Sequence, residues 1–223
     1  MQLSFTKKWR EASSNDKSQI CNFKAPLPLP GITMLEMEIS TSPLVKTYTL
    51  QEFWELPEPA DHSKLELIKG VLYMTPPPDY PHNDAASNLL EKLLLELKRC
   101  GYSGRLFVPR TAIWVDDDTY LEPDLMYLSA ELQAQMNPRH WTRADIVVEV
   151  VSPSNAVYDR RTKSDTYRAM GVRELWLIDP VEREVEVRSF ESGKTTVCKA
   201  DDLLRSEILP KVEIPVNALF SDI

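Results

Sequence analysis

The sequence predicts an α/β (α+β) domain organised around a central β-sheet with helices packed against it. Three observations carry that expectation. Residues 144–151, Ala-Asp-Ile-Val-Val-Glu-Val-Val, form a near-continuous apolar run suited to a strand covered on both faces. A basic segment from Tyr158 to Met170 follows, and then a second apolar run from Glu174 to Ile178, so strand, helix and strand succeed one another. Upstream, Leu89, Leu90, Leu93, Leu94 and Leu97 recur at helical spacing.

Taken in order, residues 1–45 lack a sustained period and contain Pro26, Pro28, Pro30, Pro43 and Gly31. They are expected to form an irregular or partly disordered lead-in, with Met34 a candidate start, ahead of one domain over residues 46–223. Tyr48 to Leu56 suits a short helix capped by Thr49 and stopped before Pro57. Leu65 to Met74 reads as two strands around a Lys69-Gly70 turn. Pro76, Pro77, Pro78 and Pro81 make a stiff connector, after which Asn83 or Asp84 can cap the leucine helix, closed by Cys100-Gly101. Strands are expected over 106–115 and 122–128, separated by the polar loop Asp116-Asp117-Asp118-Thr119. Beyond the central strand, Tyr158 to Met170 is a helix ended by Gly171, and Glu174 to Ile178 a strand. Glu184–Phe190 and Thr195–Lys199 pair as a hairpin across Glu191-Ser192-Gly193-Lys194.

The 223 residues suit one main domain, and no apolar run is long enough to span a bilayer. Cys21, Cys100 and Cys198 fit neither a disulfide framework nor a zinc cluster. The basic Lys7, Lys8 and Arg10 are followed by Glu11, Ser13, Ser14, Asn15 and Asp16 where a secretory signal needs its apolar stretch, so a cytoplasmic location is expected. The net charge of −8 opposes tight non-specific binding of nucleic acid, although acids gathered around a metal ion add negative charge that the cation reverses locally.

Glu149 interrupts the central strand, and a buried carboxylate requires a cation or a metal. Asp124 stands at the mouth of a second apolar strand. If the strands are neighbours, the two acids meet the preference of Mg²⁺ for a few carboxylates plus waters, and Lys163 brings positive charge to the attacked phosphate. The plain alternative makes Asp159 and Lys163 a solvent-exposed pair one helical turn apart. Asp116 to Asp118 lack the spacing of a calcium loop and are expected to be a solvated turn, His62 and His140 to be surface or loop residues, and Trp54, Trp114, Trp141 and Trp176 to pack the core or the sheet faces.

The run Glu149-Val150-Val151-Ser152-Pro153-Ser154-Asn155, followed by Asp159, Lys163, Tyr167, Gly171-Val172, Glu174 and Trp176-Leu177-Ile178-Asp179-Pro180, resembles the Uma-type restriction endonuclease family of prokaryotes. The resemblance extends over about residues 45–220, through Tyr48-Thr49-Leu50-Gln51-Glu52-Phe53, Glu66-Leu67-Ile68-Lys69-Gly70, His82, Pro123-Asp124 and Leu209-Pro210. It implies the restriction-endonuclease-like PD-(D/E)XK nuclease fold, with an αβββαβ core and a mixed central β-sheet flanked by helices, and Mg²⁺- or Mn²⁺-dependent cleavage of DNA. Asp124 then matches the family's first acid, Glu149 its second metal-binding acid, and Lys163 a lysine moved onto the following helix. Val151 departs from the standard motif, which has lysine there, so the site requires Lys163 to reach in. Glu66 and His82 match a recurrent acid and histidine that could complete the metal shell or orient water.

The leading expectation is therefore a metal-dependent endodeoxyribonuclease using Asp124, Glu149, Lys163 and Glu66, with Asp124, Glu149 and His82 as metal donors. Two alternatives stay open: a nuclease-like fold kept as a binding or assembly module, and a hydrolase of small phosphate esters. A homodimer is expected if each subunit cuts one strand.

Overall fold

The computed structural model describes residues 45–152 and 157–221. The expected lead-in therefore lies, but for Val45, outside the described residues, as do Cys21 and the Pro153-Ser154-Asn155 part of the family run. At the entrance to helix α1 (Leu50–Trp54) the Thr49 hydroxyl accepts from Glu52 N–H at 3.2 Å and the Glu52 carboxylate accepts from Thr49 N–H at 2.9 Å. This reciprocal cap satisfies two donors that a five-residue helix would otherwise leave bare.

Strands β1 (Lys64–Ile68) and β2 (Val71–Thr75) form the expected hairpin. Its two turn residues, Lys69 and Gly70, both lie at positive φ, 49° and 76°, which matches the twist of the strands they join. Helix α2 (Tyr80–Cys100) begins earlier than expected. Asp79, not Asn83 or Asp84, caps it by accepting from His82 N–H at 3.1 Å. Pro81 lies inside the first turn, where a missing N–H removes no helical bond.

The single strand expected over 106–115 is two, β3 (Arg105–Phe107) and β4 (Ile113–Val115). Pro109 cannot donate to a ladder and Arg110 takes φ 71°, so the chain turns there and crosses from one sheet to another. The strand expected over 122–128 is likewise shorter. After β5 (Thr119–Leu121), Glu122-Pro123 redirects the chain into β6 (Leu125–Leu128). The acidic loop is the tight turn between β4 and β5.

Helix α3 (Ala130–Gln135), unanticipated, is capped by the Ser129 hydroxyl accepting from Leu132 N–H at 3.2 Å. Then come β7 (Ile146–Val150), a π-helical turn over Tyr158–Lys163, helix α4 (Ser164–Ala169), β8 (Glu174–Asp179), β9 (Glu184–Ser189) and β10 (Thr195–Lys199). A further hairpin of β11 (Leu203–Arg205) and β12 (Glu213–Pro215), with a 3-10 turn at Val216–Leu219, completes the described chain. Among the described residues no helix is long and apolar enough to cross a membrane.

The main sheet runs β10-β9-β8-β7-β6-β3, with β7 and β8 parallel and the other neighbours antiparallel. In chain order α2, β3, β6, β7, α4 and β8 give the αβββαβ core that the resemblance implies. Strands β2-β1-β5-β4 make a second, smaller sheet. Alternation along β6 and β7 divides the core. Leu125, Tyr127, Val148 and Val150 cluster with Leu89, Leu93 and Leu97 of α2, while Met126, Leu128, Val147 and Val151 cluster with Tyr167 and Met170. Truncating a fully buried leucine such as Leu89 or Leu93 to alanine would cost about 2–5 kcal/mol.

Glu174 opens β8 and is fully buried. Its carboxylate accepts from Trp176 Nε1 at 2.9 Å, Ser206 Oγ at 2.7 Å, Glu207 N at 2.6 Å and Ile208 N at 3.2 Å, fastening the segment after β11 to the sheet. Trp176 is buried as expected, but Trp54 is 58% exposed on its short surface helix and meets Trp114 edge-on.

Candidate active site

Leu125 of β6 faces Val148 of β7, so one step further Asp124 stands level with Glu149, on the same face of the sheet. Val150 N–H donates to Asp124 Oδ2 at 2.8 Å, drawing that acid onto β7. The same oxygen lies 3.1 Å from His82 Nε2, supplied by the first turn of α2. The two acids and the histidine singled out in the sequence thus converge from two strands and a helix.

Lys163 is not a solvated helix lysine. It is 1% exposed and Asp159 5%, which overturns the alternative of a surface pair. The face of the Tyr158–Lys163 turn that carries both side chains lies against Glu66 and Glu149 of the two sheets, which takes the pair out of water. The Lys163 ammonium lies 3.0 Å from Glu149 Oε1, 3.0 Å from Glu66 Oε2 and 3.6 Å from Asp159 Oδ1. Val151 is buried in the core beside α4. The buried cation beside Glu149 comes from the helix, as Lys163.

Two tyrosines and a second lysine hold these acids in place. Tyr167, fully buried, donates its hydroxyl to Glu149 Oε1. The Tyr158 hydroxyl donates to Glu66 Oε2 at 3.3 Å, and its ring stacks on Tyr73 with centroids 4.6 Å apart. Glu66 Oε1 accepts from Glu122 N–H at 3.1 Å and lies 3.6 Å from Lys64 Nζ. The sequence had pointed to Asp159 and Tyr167 through the family pattern. It had not pointed to Tyr158, which lies five residues before Lys163 and so off the face of an ordinary helix. Nor had it pointed to Lys64, whose spacing of two from Glu66 on a strand places both on one side.

Burial alone would raise the pKa of every one of these acids, and the neighbours decide the outcome. Glu66 is buried, yet Lys163 and Lys64 hold it below the ordinary carboxylate value. Asp124 is buried too, but the His82 hydrogen bond and Lys64 bring it down to about 2. Glu149 is pushed up to about 7 by burial, which Lys163 offsets only in part while Asp124 and Glu66 add repulsion. Asp159 rises to about 6 by burial, with Glu66 and Asp124 adding to it. For His82, burial opposes protonation, but the Asp124 hydrogen bond and charge win and raise it. The Lys163 ammonium, despite its burial, is held charged by Glu149, Glu66 and Asp159.

These side chains line a cavity of about 560 Å³ that reaches Asp124, Glu149, Lys163, His82, Lys64 and Asp159. A second cavity, about 470 Å³, lies beside β9, β10 and residues 202–207 and contains none of them. Among the described residues no three His, Cys, Asp or Glu side chains stand in a ready-made metal-binding arrangement. The donor chemistry nevertheless fits a hard divalent cation. Asp124, Glu149 and Asp159 present carboxylate oxygens to the cavity, the ligand type such an ion prefers. His82 Nδ1 is a buried nitrogen with no hydrogen-bond partner.

Known proteins resemble the chain in sequence and in fold. An uncharacterized protein of Synechocystis sp. is 29% identical over 137 residues, covering 60% of this chain and 76% of the relative. A crystal structure from Anabaena variabilis, described as "a putative nuclease belonging to DUF820", superposes with a TM-score of 0.63 over 77% of this chain and 97% of that one. At 22% identity the likeness shows a shared fold. Residues 50–217 match the sequence model of a family that spans both sheets, the Asp124–Glu149 strands and the Lys163 helix, and the chain therefore belongs to the Uma2 family, described as "Putative restriction endonuclease".

Proposed function

We propose that the protein is a metal-dependent endodeoxyribonuclease that hydrolyses DNA phosphodiester bonds. The observation that carries this reading is the meeting of Asp124, Glu149 and one buried ammonium, Lys163, in a single cavity. Asp124 and Glu149 would hold Mg²⁺ or Mn²⁺, with His82 as a further donor or as the group that orients Asp124. The chemistry such an ion supplies when bound is Lewis-acid polarisation of the phosphoryl group and easier ionisation of a water.

The chain's own residues do the remainder. Lys163, fixed between Glu149 and Glu66, places a preorganised positive charge where the attacked phosphate gains negative charge. Glu66 assists by holding Lys163 charged and in position, and Tyr167 fixes the orientation of Glu149. A cytoplasmic location and a homodimer that cuts both strands belong to the same proposal.

The net charge of −8 favours a second reading, in which this fold serves as a binding or assembly module. Incubating supercoiled plasmid with purified protein and Mn²⁺ separates the two. Nicking by the wild type that Glu149→Ala abolishes supports the nuclease; equal cutting by both points to a contaminant. If neither cuts, calorimetric titration with Mn²⁺ distinguishes a silent metal site from an inert scaffold.

A further inference from the structure

The carboxylates that dominate the cavity repel the phosphates a nuclease must admit, so the approach has to offer positive charge not already consumed. Two cations lining the cavity are committed. Lys163 is fully buried among three acids, and His82 is tied to Asp124. The remaining positive charge lies beside Glu122, at Lys64 of β1, which is partly engaged with Glu66, and at Arg110 of the loop between β3 and β4.

Lys64 has three N–H donors. One meets the Glu122 carbonyl at 2.8 Å, and the ammonium sits 3.6 Å from Glu66, while the side chain keeps 23% of its exposure. Arg110 is freer still. Its side chain is 62% exposed, and among the described residues its one ion pair is a loose contact of 3.5 Å to Glu122 Oε2. That carboxylate oxygen is itself buried without a hydrogen bond. The five donors of the guanidinium are thus almost unspent, on a backbone held at φ 71°, a conformation that side-chain-bearing residues adopt at some cost. Pro76, Pro77 and Pro78 also line the cavity and carry no charge and no N–H.

We infer that Lys64 and Arg110 form a phosphate-binding wall, which takes the phosphodiester group next to the scissile one and leads the strand in along this side of the cavity. The inference rests on the proposed nuclease reading for the direction of entry but not for the binding itself. A bidentate fork such as Arg110 suits a phosphate and carries no base specificity, so its contribution is the same for every sequence. Glu122 gives the guanidinium a resting partner, which it exchanges for the phosphate.

The test is fluorescence anisotropy of a labelled oligonucleotide, single-stranded and duplex in parallel, between 50 and 200 mM salt, in EDTA and again in Ca²⁺. Wild type is compared with Arg110→Gln, and with Arg99→Gln at the other end of α2, about 25 Å from the His82 turn. Loss of one phosphate contact lowers the salt slope by about one, so across that range wild-type affinity falls about 3.5-fold further than that of Arg110→Gln. Arg99→Gln tracks the wild type. The inference is overturned if Arg110→Gln keeps the wild-type slope on both strands, or if the wild type binds neither. Arg110-dependent binding without plasmid nicking sustains the wall and removes the nuclease; nicking with an unchanged Arg110→Gln slope does the reverse.

Discussion

Glu66 and Glu149 belong to strands of two different sheets, yet each places a carboxylate oxygen 3.0 Å from the same ammonium, that of Lys163. The lysine is therefore both the candidate electrostatic catalyst and the tie between the β1 hairpin and the central strand. Electrostatic and structural roles coincide in one side chain, and the predictions below separate them.

Lys163→Met removes the cation and leaves Glu66 and Glu149 facing each other in a buried space. Breaking a buried ion pair from one side costs about 3–5 kcal/mol, so urea unfolding should show a marked fall in midpoint together with loss of plasmid nicking. The double variant Lys163→Met with Glu149→Gln should recover part of the stability and none of the activity. A midpoint unchanged in the single variant would contradict the arrangement described.

Glu149 titrates near 7 in the fold, against 4.5 for an ordinary glutamate. The folded protein then binds more protons than the unfolded chain between these values, so this residue makes stability fall as pH rises from about 4.5 to about 7. Asp159, raised to about 6, acts in the same direction. Asp124, lowered to about 2, acts oppositely and loses its contribution as pH falls towards that value. Thermal unfolding of Glu149→Gln should therefore show a shallower decline from pH 5 to 7 than the wild type.

Metal affinity should move with the same proton. If Asp124 and Glu149 hold Mn²⁺, the ion competes with the proton on Glu149, and binding tightens as pH rises through about 7. Calorimetry at pH 6 and pH 8, in buffers of different ionisation heat, should find proton release on binding at the lower pH. Affinity independent of pH would place the ion elsewhere.

Tyr167→Phe deletes the hydroxyl that donates to Glu149 and adds no bulk. A hydrogen bond to a charged group contributes about 1.5–3 kcal/mol, so the variant should be less stable by an amount in that range. Nicking should fall much less than in Glu149→Ala, because both acids and the lysine remain.

Glu174→Ala is the contrasting case. It removes the acceptor of four donors at a residue that does not line the candidate cavity, which should destabilise the fold by several kcal/mol. At temperatures where the variant stays folded, its nicking rate should match the wild type.

The sequence by itself determined the central βαβ unit, the leucine helix and the identity of the acids. Those signals are local: an acid in a β-branched run, an apolar stripe, a turn of Lys69-Gly70. It also carried, in Pro109 and Pro123, the reason why strands 106–115 and 122–128 break, but a break in a strand does not say which sheet each half joins. Tertiary structure alone decided that Glu66 reaches Lys163 from a separate sheet and that Tyr158 joins it. Sheet partnership is fixed by long-range burial, and the π turn that aims Tyr158, Asp159 and Lys163 inward falls outside the 3.6-residue period by which a helix face is read.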